Sequence, residues 1–134
     1  DYCYGVPMEE HWFDLHQIPK EKFIDQNRLH RNIIFQEINP EVAEASLTIY
    51  KDRYAQKQVF VNVVAPNQAE YVKIVSKNRN NLIKLFLDAD RDRWVEQLQK
   101  HSNKTVSDKL AQKYFISIKI PANYYLEEYR DTFA

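Results

Sequence analysis

The sequence predicts an α+β domain, a mostly antiparallel sheet of about five strands with one long helix and one or two short ones on one face, a variant of the ferredoxin-like plan. Three observations predict it. Runs rich in Val, Ile and Phe, several with apolar residues on alternate positions, recur at 12–18, 31–38, 46–54, 58–65 and 115–121. Between the fourth and fifth of them, residues 68–100 carry apolar side chains at intervals of three and four, the spacing of one helix face. The 134 residues, 44% hydrophobic and 28% charged, suit a single domain with a core of its own.

The elements follow in order. Residues 1–11 hold turn residues without a period and read as an extended lead-in. "WFDLHQI" (12–18) alternates Phe13 and Leu15 against Asp14 and His16, a short strand. Pro19 then suits the first position of a short helix over "PKEKFIDQNRL". "RNIIFQEI" (31–38) is a strand that stops at the turn signal Asn39-Pro40. "SLTIYKDRY" (46–54) and "QVFVNVVA" (58–65) pair next. In the second, Val59, Val61 and Val63 line one face and Phe60 and Val64 the other, so this strand belongs in the middle of its sheet.

Asn67 stands three residues before Glu70, the spacing of a capping box. It opens a long helix from 68 toward 100, whose stripe is Tyr71, Ile74, Val75, Leu82, Leu85, Phe86 and Ala89. Residues 102–105 interrupt it, and Thr105 with Asp108 is expected to cap a second short helix ending at Tyr114. "FISIKIP" (115–121) closes the sheet, with Ile116, Ile118 and Ile120 on one face. The tail, 122–134, is aromatic without an evident partner. Residues 1–134 therefore read as one α+β domain.

Composition excludes several chemistries. Gly5 is the only glycine, and loops that wrap phosphates or raise a nucleophile on a sharp elbow need more than one residue without Cβ. Cys3 is the only cysteine, so an internal disulfide framework and a cysteine-based zinc cluster are excluded. Nineteen basic residues balance nineteen acidic ones, which argues against a chain that lives on phosphate contacts; no nucleic acid partner is expected. No apolar run is long enough to span a membrane, and no signal peptide is visible. The chain begins at Asp1 rather than Met, and is expected to be either a mature form or an excised domain.

Candidate sites are few. "LFLDADRDRWVEQL" (85–98) opens like a calcium loop, but positions six and twelve from Asp88 hold Arg93 and Gln99 where such a loop needs Gly and Glu. Within a helix Asp88 and Asp90 point about 160° apart and cannot share a cation. A solvated face of ion pairs among Lys84, Asp88, Arg91 and Asp92 accounts for the charges, so no metal and no cofactor are expected. His16 shares a predicted strand face with Asp14, the weak candidates for acid–base catalysis. Tyr50, Tyr54, Phe60 and Tyr114 are expected to fill the sheet–helix core rather than stack on bases, since the glycine and basic residues of an RNA-binding sheet motif are missing. Trp94, Val95 and Leu98 fall off the apolar stripe, and Tyr124, Tyr125, Tyr129 and Phe133 flank charges without a period. Trp94, Leu98 and these four tail aromatics form a candidate interface. Asn103-Lys104-Thr105 matches a glycosylation acceptor, which helix capping explains equally well.

The stretches "LHRNIIFQEINP", "YAQKQVFVNVVAPN", "NRNNLIKLFLDADRDRW" and "KYFISIKIPANYYL" resemble a Bacteroidetes family of cell-envelope proteins, domain-of-unknown-function family 4837, from about Leu29 to Leu126. The resemblance implies a longer, lipoprotein-type protein of the cell envelope or periplasm, attached to the membrane only through a lipid anchor outside this chain. It carries no established catalytic residues. Cys3 follows no apolar segment and is not the lipid-bearing cysteine of such a protein. Residues and resemblance together predict a non-enzymatic domain that acts through protein or glycan contacts, with a protein partner or the rest of its own full-length chain. The alternative is a hydrolase using dispersed Asp, His and Glu residues.

Overall fold

A computed structural model describes residues 13–127. Its strands are β1 (Asn32–Ile38), β2 (Ser46–Lys51) and β3 (Val59–Ala65), followed by α1 (Gln68–Lys77), α2 (Arg79–Lys100) and α3 (Lys104–Tyr114). The α+β class holds, but the sheet is smaller and differently connected than the sequence predicts. It has three strands in the order β1-β3-β2, with β1 parallel and β2 antiparallel to β3. This mixed, three-stranded arrangement replaces the mostly antiparallel sheet of about five strands and the ferredoxin-like variant.

The two missing strands have the right alternation and no partner. Residues 13–18 are irregular; Phe13 leaves the sheet and meets Phe86 edge-on at 6.3 Å, while Leu15 is exposed. Residues 115–120 are likewise outside any strand, and only Pro121 forms an isolated bridge, to Ser102. A period of two aligns side chains; a strand also requires a neighbouring backbone edge to satisfy its N–H and C=O groups. The predicted helix after Pro19 is replaced by two 3-10 turns, Lys20–Lys22 and Asp25–Leu29.

β3 is central, as its two apolar faces require, and nearly all of it is buried. Val59, Val61 and Val63 form the core with Leu82 and Phe86, and Tyr71, Ile74, Val75, Leu85 and Ala89 pack around them. Every member of the predicted stripe thus reaches the core. The helix that carries it is not continuous. Asn78 ends α1 and begins α2, its side-chain amide donating to the Ile74 carbonyl at 2.8 Å and its N–H to the carbonyls of Ile74 and Val75. The break lets both halves follow the twisted sheet while keeping the stripe on it.

Capping is local and mostly as expected. The Asn67 side chain accepts from the Glu70 N–H at 3.0 Å. Glu70 turns to Lys73 instead of completing the reciprocal half of the box. Asn67→Ala should lower stability by about 1 kcal/mol, and Asn67→Asp should retain most of it, as read by urea unfolding. At α3 the cap is Asn103, which accepts from the Val106 N–H at 3.2 Å, rather than Thr105 with Asp108.

Candidate functional site

The charged run on α2 divides between water and core. Asp88 bonds Lys84 one turn back at 2.7 Å and Arg91 one turn on at 3.0 Å, both on the solvent side. The hydrogen bond from Lys84, aided by both positive charges, holds the Asp88 carboxyl below the usual carboxylate range. A depressed acid stabilises the fold above its unfolded pKa and loses that contribution as pH falls through the folded value. An NMR titration should therefore find the Asp88 midpoint below that of an unpaired aspartate, and Lys84→Met should move it upward.

Asp90 points the other way and belongs to a different structure. Arg93 lies seven residues beyond Phe86, two turns along the same stripe, so the apolar face ends on a guanidinium. Arg93 is only 6% exposed. Its Nη1 donates to the Lys57 carbonyl at 2.8 Å, and its Nη2 donates to Asn32 Oδ1 at 2.9 Å and to the Asp90 carboxylate. Asn32 Nδ2 donates to the other Asp90 oxygen at 3.1 Å, closing a ring of three polar side chains. The charges do not all face water, contrary to the surface reading of this run. A buried guanidinium is tolerated only when its charge and its N–H groups are matched, and here Asp90, Asn32 and a carbonyl match all but Nε. The ring joins α2 to the first residue of β1 and to the turn before β3.

Beside this ring is a recess of about 230 Å³ lined by Arg31, Asp90, Arg93, Trp94 and Gln97. It is smaller than the roughly 300–1,000 Å³ of most small-molecule sites. Its lining brings together neither a nucleophile–base pair nor paired carboxylates, and among the described residues no three His, Cys, Asp or Glu side chains converge.

The opposite sheet face carries a second cluster. Phe60, 2% exposed, lies among Phe23, Phe35, Tyr50 and Tyr54 with ring centroids 5.6–6.2 Å away. Tyr50, Tyr54 and Phe60 do not fill the sheet–helix core as expected, because Phe60 alternates away from Val59 and Val61, which face the helices. Cations cover the cluster: the Arg53 guanidinium is 4.6 Å from the Tyr50 centroid and 4.8 Å from that of Phe60, and Arg28 is 5.4 Å from Tyr54. A nucleic acid base could stack on Phe60 only after displacing Phe23 and Arg53.

The residues singled out from the sequence are dispersed. Asp14 and His16 are exposed in the irregular segment before Pro19, so the strand face they were expected to share does not form. Trp94 is 69% exposed at the recess, and Leu98 one turn on is half-buried. Tyr124 and Tyr125 are exposed, and the Tyr124 carbonyl accepts from Asn103 Nδ2 at 2.9 Å, the nitrogen a glycan would need. Cys3, Tyr129 and Phe133 lie outside the described residues.

The most open apolar stretch follows α3. Phe115 takes a left-handed conformation (φ 57°) that ends the helix, and its side chain is almost fully exposed. Ile116 and Ile118 are each 49% exposed, and among the described residues no hydrogen bond ties the backbone of 116–119 to a strand. The segment is held at its far end, where the Asn103 N–H donates to the Ile120 carbonyl at 2.8 Å and the Ala122 N–H to that of His101 at 3.0 Å. No helix among the described residues is long and apolar enough to cross a membrane.

No curated protein and no solved structure matches the chain. A family model of unknown function matches the chain, as the resemblance implied at that level, and it shows no link to family 4837 or to Bacteroidetes. It covers residues 1–99, and so takes in the sheet, α1 and nearly all of α2 while leaving out α3 and the open segment. On that match the chain belongs to the family described as Domain of unknown function (DUF8532).

Proposed function

We propose that this chain is a non-enzymatic binding domain that works through protein contacts, with residues 115–120 as its principal contact segment. The observation that carries the reading is a strand-like sequence without a sheet: Ile116, Ile118 and Ile120 alternate along a segment in which no hydrogen bond ties the backbone of 116–119 to a strand among the described residues. Such a segment gains main-chain hydrogen bonds and buries one apolar face when it adds to the sheet of another chain. The exposed Trp94, Tyr124 and Tyr125 and the half-buried Leu98 are the domain's further candidate contact residues. A cell-envelope setting, with a lipid anchor elsewhere in a longer protein, completes the proposal and rests on the sequence resemblance alone.

A photoreactive amino acid in place of Ile118 tests the contact in the cells that make the protein. A covalent protein adduct is expected from position 118 and not from the exposed control position Glu21. Equal yields at both positions, or no adduct at 118, would overturn the reading.

A further inference from the structure

We propose that the partner is a second copy of this chain, and that two copies exchange residues 115–120 reciprocally, each laying the segment along the free edge of the other's β1. The inference rests on the protein-contact reading above and names its partner.

Both halves of the joint are present on one chain. β1 pairs only with β3, so its outer backbone edge is unpaired among the described residues. On the helix side of that edge Ile34 and Ile38 are each 42% exposed, a large fraction for isoleucines beside a core. Glu37 points to the other side of the sheet. The segment alternates in the same way, with Ile116, Ile118 and Ile120 on one side and Phe115, Ser117 and Lys119 on the other. Laid parallel to β1 with Ile116 beside Ile34, it brings Ile120 beside Ile38 and Lys119 beside Glu37. One register therefore matches two of the three isoleucines and the lysine together, with Ile118 beside Gln36.

The other free edge fits less well. β2 exposes Ile49, but Lys51 shares its face and the strand "SLTIYK" has no acidic residue for Lys119. The chain's own β1 is not where its segment lies. Arg93 fixes α2 at Asn32, the first residue of β1, and the seven residues from Arg93 to Lys100 carry the helix about 10 Å farther on. Pro121 is bridged to Ser102 just past that end, so the segment is tethered away from the sheet. Reciprocal exchange uses the segment and the edge of both copies, so a two-fold dimer leaves neither open for a filament.

Charge exchange tests the joint. Light scattering after gel filtration should give about twice the 16.1 kDa of the chain. Glu37→Lys and Lys119→Glu should each weaken the dimer about tenfold by placing like charges at both joints. Mixing the two variants should restore it, since every joint in a mixed pair then joins opposite charges. Ser117→Pro, which removes a ladder N–H from a segment outside any helix, should give a folded monomer by circular dichroism. A wild-type monomer at 100 µM-scale concentration, a dimer indifferent to these substitutions, or a mixture that stays monomeric would overturn the exchange. The Ile118 crosslink separates the two proposals. An adduct only with a different protein sinks the second copy and leaves the protein-contact reading standing, whereas no adduct sinks both.

Discussion

Phe60→Ala is expected to remove about 4 kcal/mol of stability, the largest loss from any single truncation on the aromatic face of the sheet. The ring is nearly fully buried near the start of the central strand and touches four other aromatic rings, so its removal leaves a cavity that the hydrogen-bonded β3 backbone cannot collapse to fill. Arg53 also loses one of the rings it covers. For a chain of this length the loss corresponds to a fall in Tm of roughly 15 °C. Phe60→Leu, which keeps much of the volume, should cost less than half as much. Thermal and urea unfolding measure both. A Phe60→Ala protein that unfolds like the wild type would show that the ring is not part of the packed structure, and would reopen the sheet face as a ligand platform.

Arg93→Ala is expected to cost about 3 kcal/mol, for an electrostatic reason rather than a cavity. It deprives Asp90, Asn32 and the Lys57 carbonyl of their common donor. The figure is below the maximum for a broken buried pair because the Asp90 side chain is 43% exposed and can be rehydrated. For the same reason Arg93→Met, which keeps the stem packed, should lose only about 1–2 kcal/mol. Asp90→Ala is the more informative counterpart, since it leaves the buried cation with neutral partners only. Salt separates this pair from its neighbour on the same helix: about 1 M NaCl should weaken the exposed Lys84–Asp88 pair while leaving the cost of Arg93→Ala nearly unchanged. Equal salt sensitivity would show that Arg93 is hydrated in solution.

The sequence reading succeeded where the deciding interactions are close along the chain. A helix face is a matter of spacing, and all seven residues from Tyr71 to Ala89 named for it pack on the core. Asn67 caps α1 through a bond spanning three residues. The same reading placed all the charges of this run on a wet surface, because charged residues three and four apart on a helix are usually solvated pairs. A signal was present: Leu82, Phe86 and Ala89 continue to Arg93 at helical spacing, so an arginine occupies the next place on an apolar stripe. A guanidinium there must either stop the stripe or bring partners with it, and the partners, Asn32 and Lys57, lie 61 and 36 residues away.

Sequence by itself determined the α+β class, the two faces of β3 and its central place, and the stripe that binds α1 and α2 to the valines. Each depends on periodicity, which the sheet and helix geometries impose on any chain. Only the tertiary structure decided that β1 runs parallel to β3, that the helix breaks at Asn78, that Arg93 is buried, and that neither 13–18 nor 115–121 joins the sheet. Those outcomes depend on which backbone edges meet and on which charges lose their water, and both are set by residues far apart in the chain. Alternation in "FISIKI" supplies a face fit for burial, but the hydrogen bonds that would make it a strand must come from a second edge.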